Sequence, residues 1–175
     1  MAETEKISVM YTEEEVNDRI KELGAEISEE LGGEPVKVVC VLKGASFFAT
    51  ELAKRITCPV FMDFICCSSY GSGTESSHEV KIVKDLDTDI AGENVLIAED
   101  IIDSGYTLQY LTEEFKKRGA KRVLICVMLS KPDRREVEVP VDYIGYTVPD
   151  QFIVGYGLDY AQKYRNLPFI GTVEF

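Results

Sequence analysis

Four apolar runs restrict this chain most: Val36 to Leu42, Val60 to Cys67, Asn94 to Ala98 and Arg122 to Leu129. Each is too short to cross a membrane and too continuously apolar to leave one face in water, the pattern of a strand covered on both sides. Helical stretches stand between them. Thr12 with Glu15 three residues later forms a capping-box pattern, followed by a stripe of Val16, Ile20, Leu23, Ile27 and Leu31 that Gly32 and Gly33 end. A second helix is predicted through Phe47, Phe48, Leu52 and Ile56, and a third from Leu108 to Arg118, closed by Gly119. Further strands are expected near Val80 to Val83 and Val141 to Tyr146. The alternation predicts an α/β fold with a central, mainly parallel twisted sheet flanked by helices, whose ligand site lies at the carboxyl ends of the strands.

The 175 residues fit one domain, residues 1–175, and no linker or repeat divides them. Net charge is −12, the wrong sign for a protein that neutralises a nucleic-acid backbone. Residues 1–35 hold eleven acids against three bases, so the other 140 carry only −4. This acidic block has no site signature and is expected as a helix on the outside of the fold, its charge serving solubility. Five cysteines in no metal-binding spacing read as reduced thiols, mostly buried. With no apolar leader and no membrane span, a cytoplasmic protein is expected. His78 is the single histidine, so acid–base chemistry must use carboxylates, lysines or tyrosines. The polar stretch SSYGSGTESSHE, about residues 68–79, reads as a mobile loop.

One post-strand segment carries most of the chemistry: VLIAEDIIDSGYTL, Val95 to Leu108. An apolar strand delivers Glu99 and Asp100, then Asp103, then Ser104, Gly105, Tyr106 and Thr107 at a helix start. Hydroxyls, a glycine and free backbone N–H groups make a nest for a phosphomonoester, and the adjacent carboxylates suit a vicinal diol. Together they describe a ribose 5-phosphate cradle. Taken singly, Asp103 or Ser104 could merely cap the helix.

This segment resembles the signature of the type I phosphoribosyltransferases. LKGA (Leu42 to Ala45), SSYGSG (Ser68 to Gly73), Lys131 and PDQFIVGYGLDYAQKYRNLPFIG (Pro149 to Gly171) resemble blocks of the bacterial hypoxanthine (hypoxanthine-guanine) phosphoribosyltransferases, in family order. The resemblance implies Mg²⁺-dependent transfer of a phosphoribosyl group from 5-phosphoribosyl 1-diphosphate to N9 of a 6-oxopurine. It assigns Asp103 as general acid/base at purine N7 and Lys131 as donor to O6. Phe152 would stack on the base and Ile153 would contact it through the backbone. Lys43, Gly44 and Arg165 would hold pyrophosphate, with the Leu42–Lys43 peptide often cis in this family. Asp159, Glu99 and Asp100 are its metal positions, and Ser69 and Tyr70 its contacts from the mobile loop. It also implies a small hood built from N- and C-terminal segments, the latter about 149–175, and a homodimer or homotetramer. Tyr106 stands where relatives often carry a basic residue. A xanthine- or guanine-preferring sister enzyme and a nucleotide-sensing regulator of the same fold remain open alternatives. A dinucleotide enzyme is weaker, since no GxGxxG follows the first strand.

Overall fold

The computed structural model describes residues 5–70 and 78–175. In chain order the elements are β1 (Lys6–Tyr11), α1 (Glu13–Leu31), β2 (Val36–Leu42), α2 (Ser46–Arg55), β3 (Val60–Tyr70), β4 (Glu79–Lys84), β5 (Asn94–Ile102), α3 (Tyr106–Lys117), β6 (Arg122–Ser130), β7 (Tyr143–Thr147), β8 (Ile153–Val154) and β9 (Ile170–Glu174). The apolar runs lie side by side in a six-stranded sheet ordered β4-β3-β2-β5-β6-β7. All neighbours in it are parallel except β3 and β4.

Side chains alternate across a strand, so each run feeds two cores. Val38, Cys40, Leu96 and Ala98 pack with α1 and α2 on one face. Val39, Val41, Val95 and Ile97 pack with Leu108, Leu111 and Phe115 of α3 on the other. Helix α1 begins at the expected capping box: Glu15 N–H donates to Thr12 Oγ1 at 3.2 Å and Thr12 N–H to Glu15 Oε2 at 2.8 Å. It ends at Gly32 in the left-handed conformation, φ 57°.

Three sequence expectations change. The acidic N-terminal block is more than an outer helix, because β1 precedes α1 and pairs antiparallel with β9. With β8 on the other side of β9, the order β1-β9-β8 makes a second sheet, the hood. The expected loop from Ser68 instead continues β3 to Tyr70, where Ser68, Ser69 and Tyr70 pair with Lys81, Val80 and Glu79. Cross-strand hydrogen bonds hold these polar residues without an apolar run; the rest of that expected loop, 71–77, lies outside the described residues. Finally, β5 runs past Ala98 to Ile102, so Glu99 and Asp100 sit within a strand and not after one.

No helix among the described residues is long and apolar enough to cross a membrane. The five cysteines are free thiols. Burial pushes Cys40 up to about 12, with Glu99 adding to the shift, and Cys67 up to about 11.

Candidate functional site

The carboxyl ends of β2, β5 and β6 are neighbours at the middle of the sheet. On β5, Glu99 is buried and Asp100 half-buried. The Asp100 N–H donates to Glu99 Oε1 at 3.0 Å, and the Ile101 N–H to Asp100 Oδ1 at 2.7 Å. Burial raises the Glu99 carboxyl well above its ordinary 4.5, and the Asp100 charge raises it further. Burial raises Asp100 as well, against its bonds to Glu99 and Ile101 and the field of Arg165. Two like charges this close disfavour each other's ionisation unless a cation compensates them, and the larger upward push falls on Glu99.

Beside them the Leu42–Lys43 peptide is cis. A Cβ on Gly44 would run into the Asp100 carboxylate, so any larger residue here would push that side chain aside. A Cβ on Gly157, at φ 98°, would strike the Gly44 carbonyl oxygen, so the 155–165 loop lies directly on the Lys43 turn. Arg165 fastens that contact, donating from Nη1 to Gly157 O at 2.7 Å. Its Nη2 lies 3.3 Å from Asp159 Oδ1 and 3.3 Å from Gln162 Oε1. The same Gln162 oxygen accepts from Lys43 Nζ at 3.4 Å, and the Gln162 N–H donates to Asp159 Oδ2 at 2.8 Å. Two cations and one carboxylate thus converge around a neutral amide. Gln162 and Gly157 were not singled out in the sequence; both lie in the block that carries Asp159 and Arg165, without a motif of their own.

After β5 the chain turns through Asp103 and Ser104 to Gly105, which takes φ 96° and precedes α3 without a side-chain cap. A cavity of about 120 Å³ is lined by Glu99, Asp103, Ser104, Gly105 and Thr107, together with Ile101, Ile102 and Leu108. Tyr106 is turned elsewhere: its ring stacks on His78 with centroids 4.2 Å apart and planes at 17°. His78 Nε2 lies 3.6 Å from Glu136 Oε2.

A second cavity, of about 260 Å³, brings together Asp103, Lys131, Phe152, Ile153 and Asp159. Asp103 therefore borders both spaces. Phe152 is 45% exposed, and its ring meets Tyr160 and Phe175 edge-on at 5.4 and 5.8 Å. Ile153 is buried in β8, which ties this cavity to the hood. Arg135, also not singled out, donates to the Asp103 carbonyl and to Ser130 Oγ, each at 3.0 Å. Ser69 lies in β3, and the expected contact of the Tyr70 side chain lies outside what is described.

Residues 10–161 match the phosphoribosyl transferase domain. The chain is 51% identical over 166 residues to the hypoxanthine-guanine phosphoribosyltransferase of Bacillus subtilis, covering 95% of this chain and 92% of that protein. It is 48% identical over 169 residues to the hypoxanthine phosphoribosyltransferase of Escherichia coli, covering 95% of each. It is also 52% identical to the bifunctional protein TilS/HprT of Listeria monocytogenes, covering 95% of this chain but spanning only 26% of that relative's length. Among solved structures, a hypoxanthine phosphoribosyltransferase from Staphylococcus aureus superposes with a TM-score of 0.92 at 44% identity, covering 95% of this chain and 91% of that one.

Proposed function

The chain belongs to the phosphoribosyl transferase domain family, and on that premise we propose that it is a purine-salvage enzyme joining hypoxanthine, and guanine, to the phosphoribosyl group of 5-phosphoribosyl 1-diphosphate. The position of Asp103, bordering both cavities, carries this reading. A purine in the larger space presents N9 toward the sugar carbon of a ribose whose phosphate fills the smaller one.

The bond from the sugar C1′ to pyrophosphate breaks as the bond to N9 forms, and the N7 proton passes to the Asp103 carboxylate. Lys131 donates to O6 and Phe152 covers the ring. Electron demand at C1′ calls for leaving-group stabilisation, not for a covalent nucleophile. Lys43, the Gly44 N–H and Arg165 supply positive charge where pyrophosphate gathers negative charge. The Ser104 and Thr107 hydroxyls and the open start of α3 receive the 5′-phosphate, with the Tyr106 side chain contributing no cation.

The donor set suits Mg²⁺. Among the described residues no three His, Cys, Asp or Glu side chains form a ready metal cluster, and Mg²⁺ takes few protein carboxylates while keeping water and phosphate oxygens. Glu99 and Asp100, whose burial leaves them short of positive charge, and Asp159 are the residues that would hold it. When bound, the ion neutralises phosphate oxygens and supports departure of pyrophosphate. Assembly into a dimer or tetramer is carried over from the family resemblance.

The test is product formation from hypoxanthine, guanine and xanthine, each with phosphoribosyl diphosphate, with and without Mg²⁺. Mg²⁺-dependent nucleotide from hypoxanthine is expected. No product from any of the three purines overturns the reading, and xanthine as the best substrate would transfer it to the sister activity.

A further inference from the structure

Arg135 lines neither of the two cavities assigned to substrate, only a neighbouring one that it shares with Asp103 and Ser104, yet it joins the two strand ends between which the base would lie. After β6, residues Pro132–Arg134 make one 3₁₀ turn, with Arg134 N–H donating to Lys131 O at 3.2 Å and Arg135 N–H to Pro132 O at 3.1 Å. The turn sends the chain back over the end of the sheet. From there the guanidinium donates through Nε to the Asp103 carbonyl and through Nη2 to Ser130 Oγ, both at 3.0 Å. Ser130, the residue before Lys131, is only 5% exposed, so one arm of the fork is anchored in the sheet. The next residues repeat the grip: Glu136 and Val137 N–H groups both donate to the Ser104 carbonyl, at 3.0 and 3.1 Å. The stem of Arg135 also closes over Gly105, where a Cβ would stand 3.2 Å from Arg135 Cδ.

We infer that Arg135 is a positioning residue that fixes the spacing of Asp103 and Lys131, so that a single purine edge meets both. The inference rests on the proposed function. N7 and O6 lie on one side of a rigid bicyclic ring, so neither group can move to find its atom without the other losing its own. Asp103 is exposed and sits in a loop that pivots on a glycine; its own side chain cannot supply that rigidity. A planar guanidinium donates in two fixed directions at once, which a lysine at the same place cannot do. Misplacement of a reacting group by about 1 Å costs on the order of a hundredfold in rate.

The experiment compares Arg135→Met, Arg135→Lys, Arg135→Ala and Ser130→Ala with the parent enzyme in steady-state kinetics, with thermal melting as the control for folding. For Arg135→Met we expect kcat with hypoxanthine to fall by about tenfold to a hundredfold, with KM for phosphoribosyl diphosphate within about twofold of the parent. Arg135→Lys should be nearly as slow, Ser130→Ala should show a smaller loss in the same direction, and free guanidinium should restore part of the rate of Arg135→Ala. An unchanged kcat, or kcat and phosphoribosyl diphosphate KM worsening together with a collapse of the melting temperature, overturns the role. A readout independent of turnover is amide exchange over residues 100–107, expected to quicken in Arg135→Met. If the parent enzyme transfers nothing to any purine, the functional reading fails by itself. Unaltered exchange would then overturn the brace separately.

Discussion

Glu99 and Asp100 are destabilising in the ligand-free protein, because burial raises both and the Asp100 charge raises Glu99 further. The sign follows from proton counting. A carboxyl whose folded-state pKa lies above its unfolded value leaves the folded protein holding more protons between the two values, so stability falls as pH rises from 4.5 through the raised value. The limiting slope is about 1.4 kcal/mol per pH unit. Glu99→Gln keeps the shape of the protonated acid and removes the titration. Ligand-free Glu99→Gln should therefore match the parent in urea unfolding near pH 5 and exceed it near pH 8; equal stability at both would show that Glu99 does not carry the strain. Asp103→Asn belongs to the same scale. It keeps the loop's backbone bonds but cannot take a proton from N7, so kcat should drop by about a hundredfold or more with a smaller change in KM, measured with hypoxanthine. These acids were legible in the sequence because three carboxylates and a nest crowd into one segment that begins where an apolar run ends, even though the first two prove to lie within β5. Arg135 and Gln162 were not: each acts through hydrogen bonds to a different stretch of chain, and no local spacing marks such a pairing.

Helix α1 tests how far local signals reach. Its capping box satisfies two backbone N–H donors at once, so Thr12→Ala should cost about 1 kcal/mol and lower the melting point by about 2–4 °C, read by calorimetry; no change would mean that packing of Val16 and Ile20 alone sets the helix start. The elements read correctly from sequence, α1 to α3 and the buried strands, are those whose signal lies within their own residues: periodicity, caps, or an unbroken apolar run. The strands that escaped, β1, β8 and β9, are short, and the partner of β1 lies at the far end of the chain. In β1, Val9 remains 55% exposed, so its burial pattern gives little to read. The extension of β3 through two serines escaped for a related reason, since pairing with β4 and not side-chain burial holds it.

At the scale of the molecule, the large sheet supplies the turn at Lys43, the nest before α3 and the end of β6, while the hood supplies Phe152 and Ile153. The hood thus faces the proposed base together with Asp103 and Lys131, while the proposed ribose phosphate rests on the large sheet alone. Removing residues 170–175 takes away β9, and with it the burial of Ile170 and Val173, worth about 3–6 kcal/mol together. The shortened chain should melt lower and lose base affinity more than phosphoribosyl diphosphate affinity, as titration calorimetry would measure; an equal loss of both would show that the hood does not serve the base in particular. The pairing of β1 with β9 has a further consequence, for the order in which the protein is made. β1 leaves the ribosome first among the described elements and waits, unpaired, through the synthesis of every other strand. The large sheet can assemble as its strands emerge, but the hood cannot close before residue 174 is in place. A growing chain would therefore complete the nest at the start of α3 before it could close the hood over a base.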